Sequence, residues 1–499
     1  MGSENLSVKV IDKGYAKNAE QYITSRTLSN GLVAEAIAIE DFETTRLKPM
    51  LLIGDGNGYW INEVWIDKGQ TLKAVDPRKY PYKPYLFDPR ITYKRPSTQE
   101  VFEDVLAEFK RFLDLEEIYQ VLLTAATMLS YVQERFETTP YIYLLGDNES
   151  GKSHAITLLN ALAYRPLYGA SIPEADLYTY LGDGEFTPTI LEDEIQGIER
   201  DVDKAKIWKV GYKRGAKIPR IKIKSNGERE IEYFEPFCLK FAAGEKLIKV
   251  KGLRERFIII SMVEGDPEKD YYEGDDYERF AEIRNKLLLW RLDKLTDPSF
   301  GKLDLPWLRK RMRELHQPLL AVLKETRHYP LFENFVKKMI DERIKAKRDS
   351  FEGFLTRIVA RVIAKKKSLK VEFLDIWAEI KAELDVEESL SNPNKLETDV
   401  FGNITKHRVG QRLHEVLGAE ARREWDGGKT KLYRIFKATK LLKAIKKYHV
   451  FDGENLKTLT DLTTLTDFLR GIVEKEIPEK ASGSPEKPTL EPPYTLGER

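Results

Sequence analysis

The chain has 499 residues, with 82 Lys plus Arg against 81 Asp plus Glu, six histidines and one cysteine. That length predicts two to four domains, and the near-zero net charge leaves any polyanion-binding surface to be found locally. A lone Cys238 excludes an internal disulfide framework, and the scattered histidines (154, 316, 328, 407, 414, 449) show no metal-site spacing; with no long apolar run and no secretory core at the start, a cytoplasmic protein with no structural zinc and no membrane span is expected.

From about residue 30 to 95 short apolar alternations are separated by turn signals such as Gly54-Asp55-Gly56-Asn57-Gly58, which predicts a β-rich N-terminal domain over 1–97. Thr98 to Phe136 reads as helix: Phe102, Val105, Phe109 and Phe112 recur at three- and four-residue spacing before the apolar block Val121 to Leu129, and Thr138-Thr139-Pro140 ends the pattern. An apolar strand, Tyr141 to Leu145, then leads into Gly146-Asp147-Asn148-Glu149-Ser150-Gly151-Lys152-Ser153, and a helical pattern from His154 to Leu162 leads out. This is the order of a nucleotide phosphate loop. The glycines let the backbone curl so that N–H groups point at an anion, and the helix aims its positive end there. Lys152 is expected to reach the β- and γ-phosphates of ATP and Ser153 to hold Mg²⁺; Gly146, Asp147, Asn148, Glu149, Ser150, Gly151 and His154 complete the nucleotide set.

Asp193 follows Lys152 by 41 positions at the end of the apolar run Thr189-Ile190-Leu191, and Glu194 follows it. An acid pair there gives hydrolysis as well as binding: Asp193 serves the Mg²⁺ with Ser153, and Glu194 polarises the attacking water. Glu192 departs from the pattern, because the residue before the Asp is normally apolar in a buried parallel strand; three successive acids leave a one-residue shift open.

Lys204 to Lys224 holds nine basic residues and no acid. Its second half alternates with period two around Asn226-Gly227, a hairpin signal. Alternation puts Arg220, Lys222 and Lys224 on one face, and a two-residue loop at Asn226-Gly227 would set Lys224 opposite Arg229. Such like-charge pairing fits a DNA backbone as ligand; a solvated edge ribbon that uses Lys against aggregation is the other reading.

The hairpin lies between the acidic strand and the next apolar strand, Phe237 to Ala243. This layout resembles ring-shaped DNA motors of the superfamily 3 helicase and minichromosome-maintenance type, and specifically the AAA+ ATPase domain of primase-helicase-like replication proteins of plasmids and viruses. The likeness spans about residues 100 to 325 and rests on the phosphate loop, Pro188 to Glu194, Gly211 to Ala216, Phe234 to Gly244, Leu253 to Ile258 and Arg311 to Ala321. It implies an α/β fold: an AAA+ P-loop NTPase core with a helical lid over 98–325, set between the β-rich N-terminal domain and a C-terminal winged-helix domain. It also implies a homo-hexameric ring in which Arg256, or alternatively Arg254, reaches a neighbour's γ-phosphate, and in which Arg311 of the lid touches phosphate. Ala242-Ala243-Gly244 departs from the family in offering no polar sensor; Glu245 or a backbone group is the substitute.

Residues 326–450 are predicted to be helical with a winged helix. Thr405 N-caps a helix with Val409, Leu413, Val416 and Leu417 on one face, followed by a hairpin around Asp426-Gly427-Gly428. Arg408, Arg412, Lys429 and Lys431 are its candidate DNA contacts; protein binding is the other use of such a domain. Residues 451–499 read as a short helix and a Pro-, Glu- and Lys-rich disordered tail. Together these features predict an ATP-driven DNA translocase or helicase of a mobile-element replication system. An ATP-switched origin-binding initiator or helicase loader is the alternative, and a motor acting on protein is a third reading.

Overall fold

In the computed structural model the alternating apolar positions near the start of the chain become two small sheets. The structure describes residues 20–472 except 42–43, 45, 55–57, 77–78, 80, 182–186, 196, 224–228, 386–393, 399, 451–464 and 466. The chain divides into two compact units, 1–337 and 338–499. In the first, β1 (Glu20–Ile23), β2 (Ser25–Thr27), β3 (Val33–Glu40), β4 (Leu47–Gly54), β5 (Tyr59–Asn62), β6 (Val64–Asp67) and β7 (Gln70–Ala74) form a four-stranded sheet β2-β3-β4-β5 and a three-stranded sheet β1-β7-β6. Ile23, Ala34, Leu51, Ile53 and Leu72 pack between them.

Helix α1 (Thr98–Phe112) begins where the Ser97 hydroxyl accepts from the Glu100 N–H, and buries the aromatic stripe Phe102, Phe109 and Phe112. In α2 (Glu117–Val132) all thirteen residues from Gln120 to Val132 are buried, so this helix is enclosed by protein. Its two threonines are satisfied within the helix, the Thr124 and Thr127 hydroxyls donating to the carbonyls four residues earlier at 2.8 and 2.9 Å, while Gln120 and Tyr131 donate to the Leu113 and Leu162 carbonyls outside it.

The second half of the unit runs β8 (Tyr141–Leu145), α3 (Lys152–Leu162), β9 (Pro166–Gly169), α4 (Glu174–Leu181), β10 (Thr189–Glu192), α5 (Val202–Val210), β11 (Ile218–Ile223), β12 (Arg229–Phe234), β13 (Lys240–Gly244), α6 (Lys251–Arg254), β14 (Phe257–Ser261), α7 (Gly274–Thr296) and α8 (Lys310–Leu323). The order β14-β8-β13-β10-β9 is entirely parallel, and strands of this kind read as near-continuous apolar runs because both faces are covered. Two charged residues break that rule. Lys240 is fully buried in β13 and its Nζ donates to the Pro236 and Cys238 carbonyls at 2.9 and 3.1 Å; Glu192 is fully buried at the end of β10. The parallel order gathers the C-terminal ends of β8, β10 and β13 at one edge of the sheet, the place where open α/β sheets bind ligands.

The β-rich region and the parallel sheet share one buried ionic cluster. Glu35 of β3 receives the Arg165 guanidinium (Nη2) at 2.7 Å, Arg291 Nε of α7 at 2.7 Å, the Ser25 hydroxyl at 2.6 Å and the Tyr164 hydroxyl at 3.0 Å. Arg291 also binds Glu134, at 2.8 Å. Arg165, Arg291 and Glu35 are all essentially without solvent exposure.

Helix α9 (Tyr329–Arg348) contains the division between the units. The second unit runs α10 (Phe351–Lys366), β15 (Lys370–Glu372), α11 (Phe373–Leu384), β16 (Lys395–Thr398), β17 (Gly402–Thr405), α12 (Lys406–Leu417), β18 (Glu420–Asp426), β19 (Lys429–Ile435) and α13 (Ala438–Lys447). A three-stranded antiparallel sheet, β15-β19-β18, packs with α10 to α13 around Phe354, Ile358, Trp377, Val409, Leu413 and Leu441. The Thr405 hydroxyl accepts from the Arg408 N–H at 3.1 Å, so α12 starts at the expected cap. Asp426 pairs with Lys429 across a two-residue turn in which both glycines have positive φ, as a primed hairpin turn requires.

Candidate functional site

Gly146 to Gly151, the expected phosphate loop, connects β8 to α3 at the edge where β8, β10 and β13 end. Gly146 sits so close to its surroundings that a Cβ there would lie 2.4 Å from the Met262 carbonyl oxygen and 2.5 Å from Ser150 Oγ. Glu149 takes a left-handed φ of 65°, unusual for a side-chain-bearing residue and a marker of strain at a tight functional turn. Lys152 opens α3, and its Nζ donates to the Asp147 carbonyl at 2.5 Å and the Ser150 hydroxyl at 3.1 Å, across the mouth of the loop.

Ser153 Oγ donates to Asp193 Oδ1 at 3.1 Å, so the residue after Lys152 and the first residue beyond β10 meet although 40 positions separate them. Asn148, Glu149, Ser150, Gly151, Lys152, Ser153, His154, Asp193, Glu194, Gly244 and Glu245 line one cleft of ≈ 450 Å³. Glu245 is therefore the side-chain-bearing residue at the cleft just beyond β13, where Ala242, Ala243 and Gly244 offer no polar side chain. Partial burial pushes the Asp193 carboxyl above its ordinary range, with the Ser153 hydrogen bond and the Lys152 charge working against that rise. The His154 ring stacks on Tyr272 with centroids 4.6 Å apart, and burial pushes its pKa down.

Of the three successive acids, Asp193 and Glu194 line the cleft and Glu192 does not. It enters the opposite side of β10 from Asp193 and forms an ion pair with Lys204 of α5, with both residues buried. Lys204 thus belongs to the interior, although the sequence places it in the densest cationic run. Burial, only partly offset by Lys204, pushes the Glu192 carboxyl up from its ordinary 4.5 to about 7. The folded carboxyl then keeps its proton between these values while the unfolded one has lost it, so this contribution to stability is complete below pH 4.5 and is lost as pH rises through about 7. Urea unfolding across that window should show wild type losing stability relative to Glu192→Gln as pH rises; parallel profiles would refute the assignment.

The hairpin differs from expectation. Ile223, not Lys224, pairs with Arg229, and the register sets Arg220 opposite Glu232 and Lys222 opposite Glu230; residues 224–228 lie outside the described residues. The predicted face of like charges is thereby corrected: basic positions of β11 face acidic positions of β12, which is the favourable arrangement across antiparallel strands. Arg220 lies 4.9 Å over the Tyr178 ring. Arg229 is exposed; Lys224 and the Lys222 side chain lie outside the described residues.

Arg256 lies at the far end of the sheet from its own phosphate loop. Its carbonyl accepts from the Tyr141 N–H at the start of β8, a strand that runs about 13 Å before the loop begins. The Arg256 and Arg311 guanidinium groups both stand over Tyr212, 4.5 and 4.8 Å from the ring centre. The structure thus brings together the two arginines carried over from the family likeness. Arg254 is exposed in α6.

No family profile matches the sequence, and no curated protein matches it. Among solved structures, the A form apo structure of the NrS-1 C-terminal region aligns over 82% of this chain and 97% of that one, at 13% identity and a TM-score of 0.34. Another apo structure of that region, covering 305–718, aligns over 82% and 97% at 12% identity and 0.33. A structure of JCV helicase with a bound small molecule aligns over 48% of this chain and 61% of that one, at 16% and 0.22. Likeness at this level carries no argument, and the reading of the site rests on its own geometry.

In the second unit the four expected DNA contacts separate. The Arg408 guanidinium donates to the Phe401 and Asn403 carbonyls at 3.2 and 2.8 Å and covers the Phe351 ring; Arg412 pairs with Glu415 at 2.9 Å; Lys431 pairs with Asp426 at 2.6 Å. Lys429 is exposed beside the hairpin turn and borders a cleft with residues of α11, α12 and β19. Among the described residues no helix is long and apolar enough to cross a membrane.

Proposed function

We propose that the chain is an ATP-hydrolysing motor of the AAA+ type that assembles as a ring, a homo-hexamer, and translocates or unwinds DNA in the replication of a mobile element. The observation that carries this reading is the convergence, in one cleft, of Lys152, the Ser153–Asp193 hydrogen bond and Glu194. Lys152 binds the β- and γ-phosphates beside the loop's backbone N–H groups, and Glu194 orients water for attack on the γ-phosphate and takes up its proton. A hydroxyl and a partly desolvated carboxylate at 3.1 Å fit Mg²⁺, which when bound would neutralise charge on the transferring phosphoryl group. Ser153 and Asp193 would hold it. The distance of Arg256 from its own loop supports service to a neighbouring subunit's nucleotide, with Arg311 beside it.

The β11–β12 hairpin carries the DNA contact in this reading, through Lys222 and Lys224. ATP turnover measured with and without single-stranded DNA, for wild type and Lys222→Ala/Lys224→Ala, tests it. DNA should stimulate the wild type severalfold and the double variant little; equal stimulation would remove the hairpin's role. In the second unit, a helix following a cap and then a glycine-turned hairpin supports a winged helix as a further nucleic-acid contact.

A further inference from the structure

All seven tryptophans are described, and six are buried or partly buried; Trp425 of β18 is 75% exposed. An indole left in water at that level is an apolar surface in search of a partner. The register fixes its neighbours. Trp425 pairs with Thr430, Arg423 with Leu432 and Ala421 with Arg434, so strand alternation puts Arg423, Trp425, Thr430, Leu432 and Arg434 on one face of the hairpin. Thr430, Leu432 and Arg434 also line the cleft against Gly410 and Gln411 of α12.

Charge divides between the two faces. On the other face Lys431 and Tyr433 both bind Asp426, at 2.6 and 3.0 Å, and Lys370 pairs with Glu424. On the Trp425 face, neither Arg423 nor Arg434 has an acidic partner among the described residues. Arg434 is nevertheless a built feature: its guanidinium lies 5.4 Å from the Phe373 ring centre and against the bare backbone of Gly410, where a Cβ would come within 2.5 Å of Nη2. An exposed indole followed on the same face, toward the base of the hairpin, by two uncompensated guanidinium groups is complementary to a polyanion that also offers flat apolar rings.

We propose that this face binds a nucleic-acid strand with unpaired bases, one base stacking on Trp425 and the neighbouring phosphates seated on Arg423 and Arg434. The proposal rests on the nucleic-acid reading above and specifies the form of the ligand. Duplex DNA hides its base faces and would use the arginines alone; a protein partner would gain nothing from two cations without acids of its own.

The test uses the full chain at low salt, with fluorescence anisotropy of a labelled single-stranded oligonucleotide and of a blunt duplex of equal length. Trp425→Ala should weaken the single strand about tenfold and leave the duplex within about twofold, whereas Trp425→Phe should keep most of the affinity. Basal ATP turnover and the melting temperature should be unchanged in both variants. Unchanged single-strand affinity in Trp425→Ala, or equal loss for both ligands, overturns the stacking role while leaving the motor reading intact if wild-type turnover still responds to DNA. A change in oligomeric state without a change in binding would instead make this face a protein interface and also overturn the proposal. No binding of any nucleic acid by wild type would sink both readings.

Discussion

Glu194→Gln should lower steady-state ATP turnover by about 10²–10⁴-fold while leaving nucleotide affinity near that of wild type. The amide keeps the size of the carboxylate but cannot accept the proton of the attacking water, so binding and hydrolysis separate. Lys152→Ala should lose both, because in the proposed motor Nζ is the charge that meets the phosphates. Glu192→Gln supplies the internal control: the side chain that pairs with Lys204 on the opposite side of β10 should leave turnover of the same order, whereas an acid pair shifted by one residue would reverse the ranking of Glu192 and Glu194. Turnover assays alongside equilibrium binding of a fluorescent nucleotide distinguish these outcomes. Full turnover in Glu194→Gln would overturn the assignment of the catalytic base.

Glu35→Ala should cost about 3–5 kcal/mol of stability, the range for breaking a buried ion pair by removing one partner. The truncation leaves the buried Arg165 guanidinium without a carboxylate and Arg291 with Glu134 alone, and the Ser25 and Tyr164 hydroxyls lose the acceptor they share. Burial alone would raise the Glu35 carboxyl, and the charges of Arg291 and Arg165 outweigh it and hold the pKa below the ordinary 4.5. The contribution is therefore present above pH 4.5 and is lost as pH falls through the lower folded value. Thermal unfolding at pH 7 measures the loss, and wild type and variant should converge on acidification. A melting curve shared by both at neutral pH would remove the cluster's proposed role in joining the β-rich region to the parallel sheet.

What the sequence revealed depended on how local the cause was. The strand Tyr141 to Leu145, the helix that follows the loop ahead of Lys152, the Thr405 cap and the Gly427-Gly428 turn are set by residues a few positions apart, and each stands where the pattern put it. The hairpin was legible as two alternating strands but not in register, because alternation is unchanged by a shift that moves every cross-strand partner; the observed pairing of Ile223 with Arg229 exchanges like for opposite charges. Lys204 reads as one more charge of the cationic run and Arg412 as a DNA contact, yet folding brings Lys204 to the buried Glu192 and Arg412 to within 3.6 Å of Glu352. Glu35 meets Arg165 and Arg291 at separations of 130 and 256 positions, which no periodicity encodes.

The buried pair of Glu192 and Lys204 has an evolutionary corollary. Losing either member alone leaves a charge stranded inside the protein, while exchanging both for apolar residues of similar volume is often neutral or even favourable. The two sites are thus separated from an uncharged alternative by a fitness valley, and related chains should carry the acid and the lysine together or carry neither.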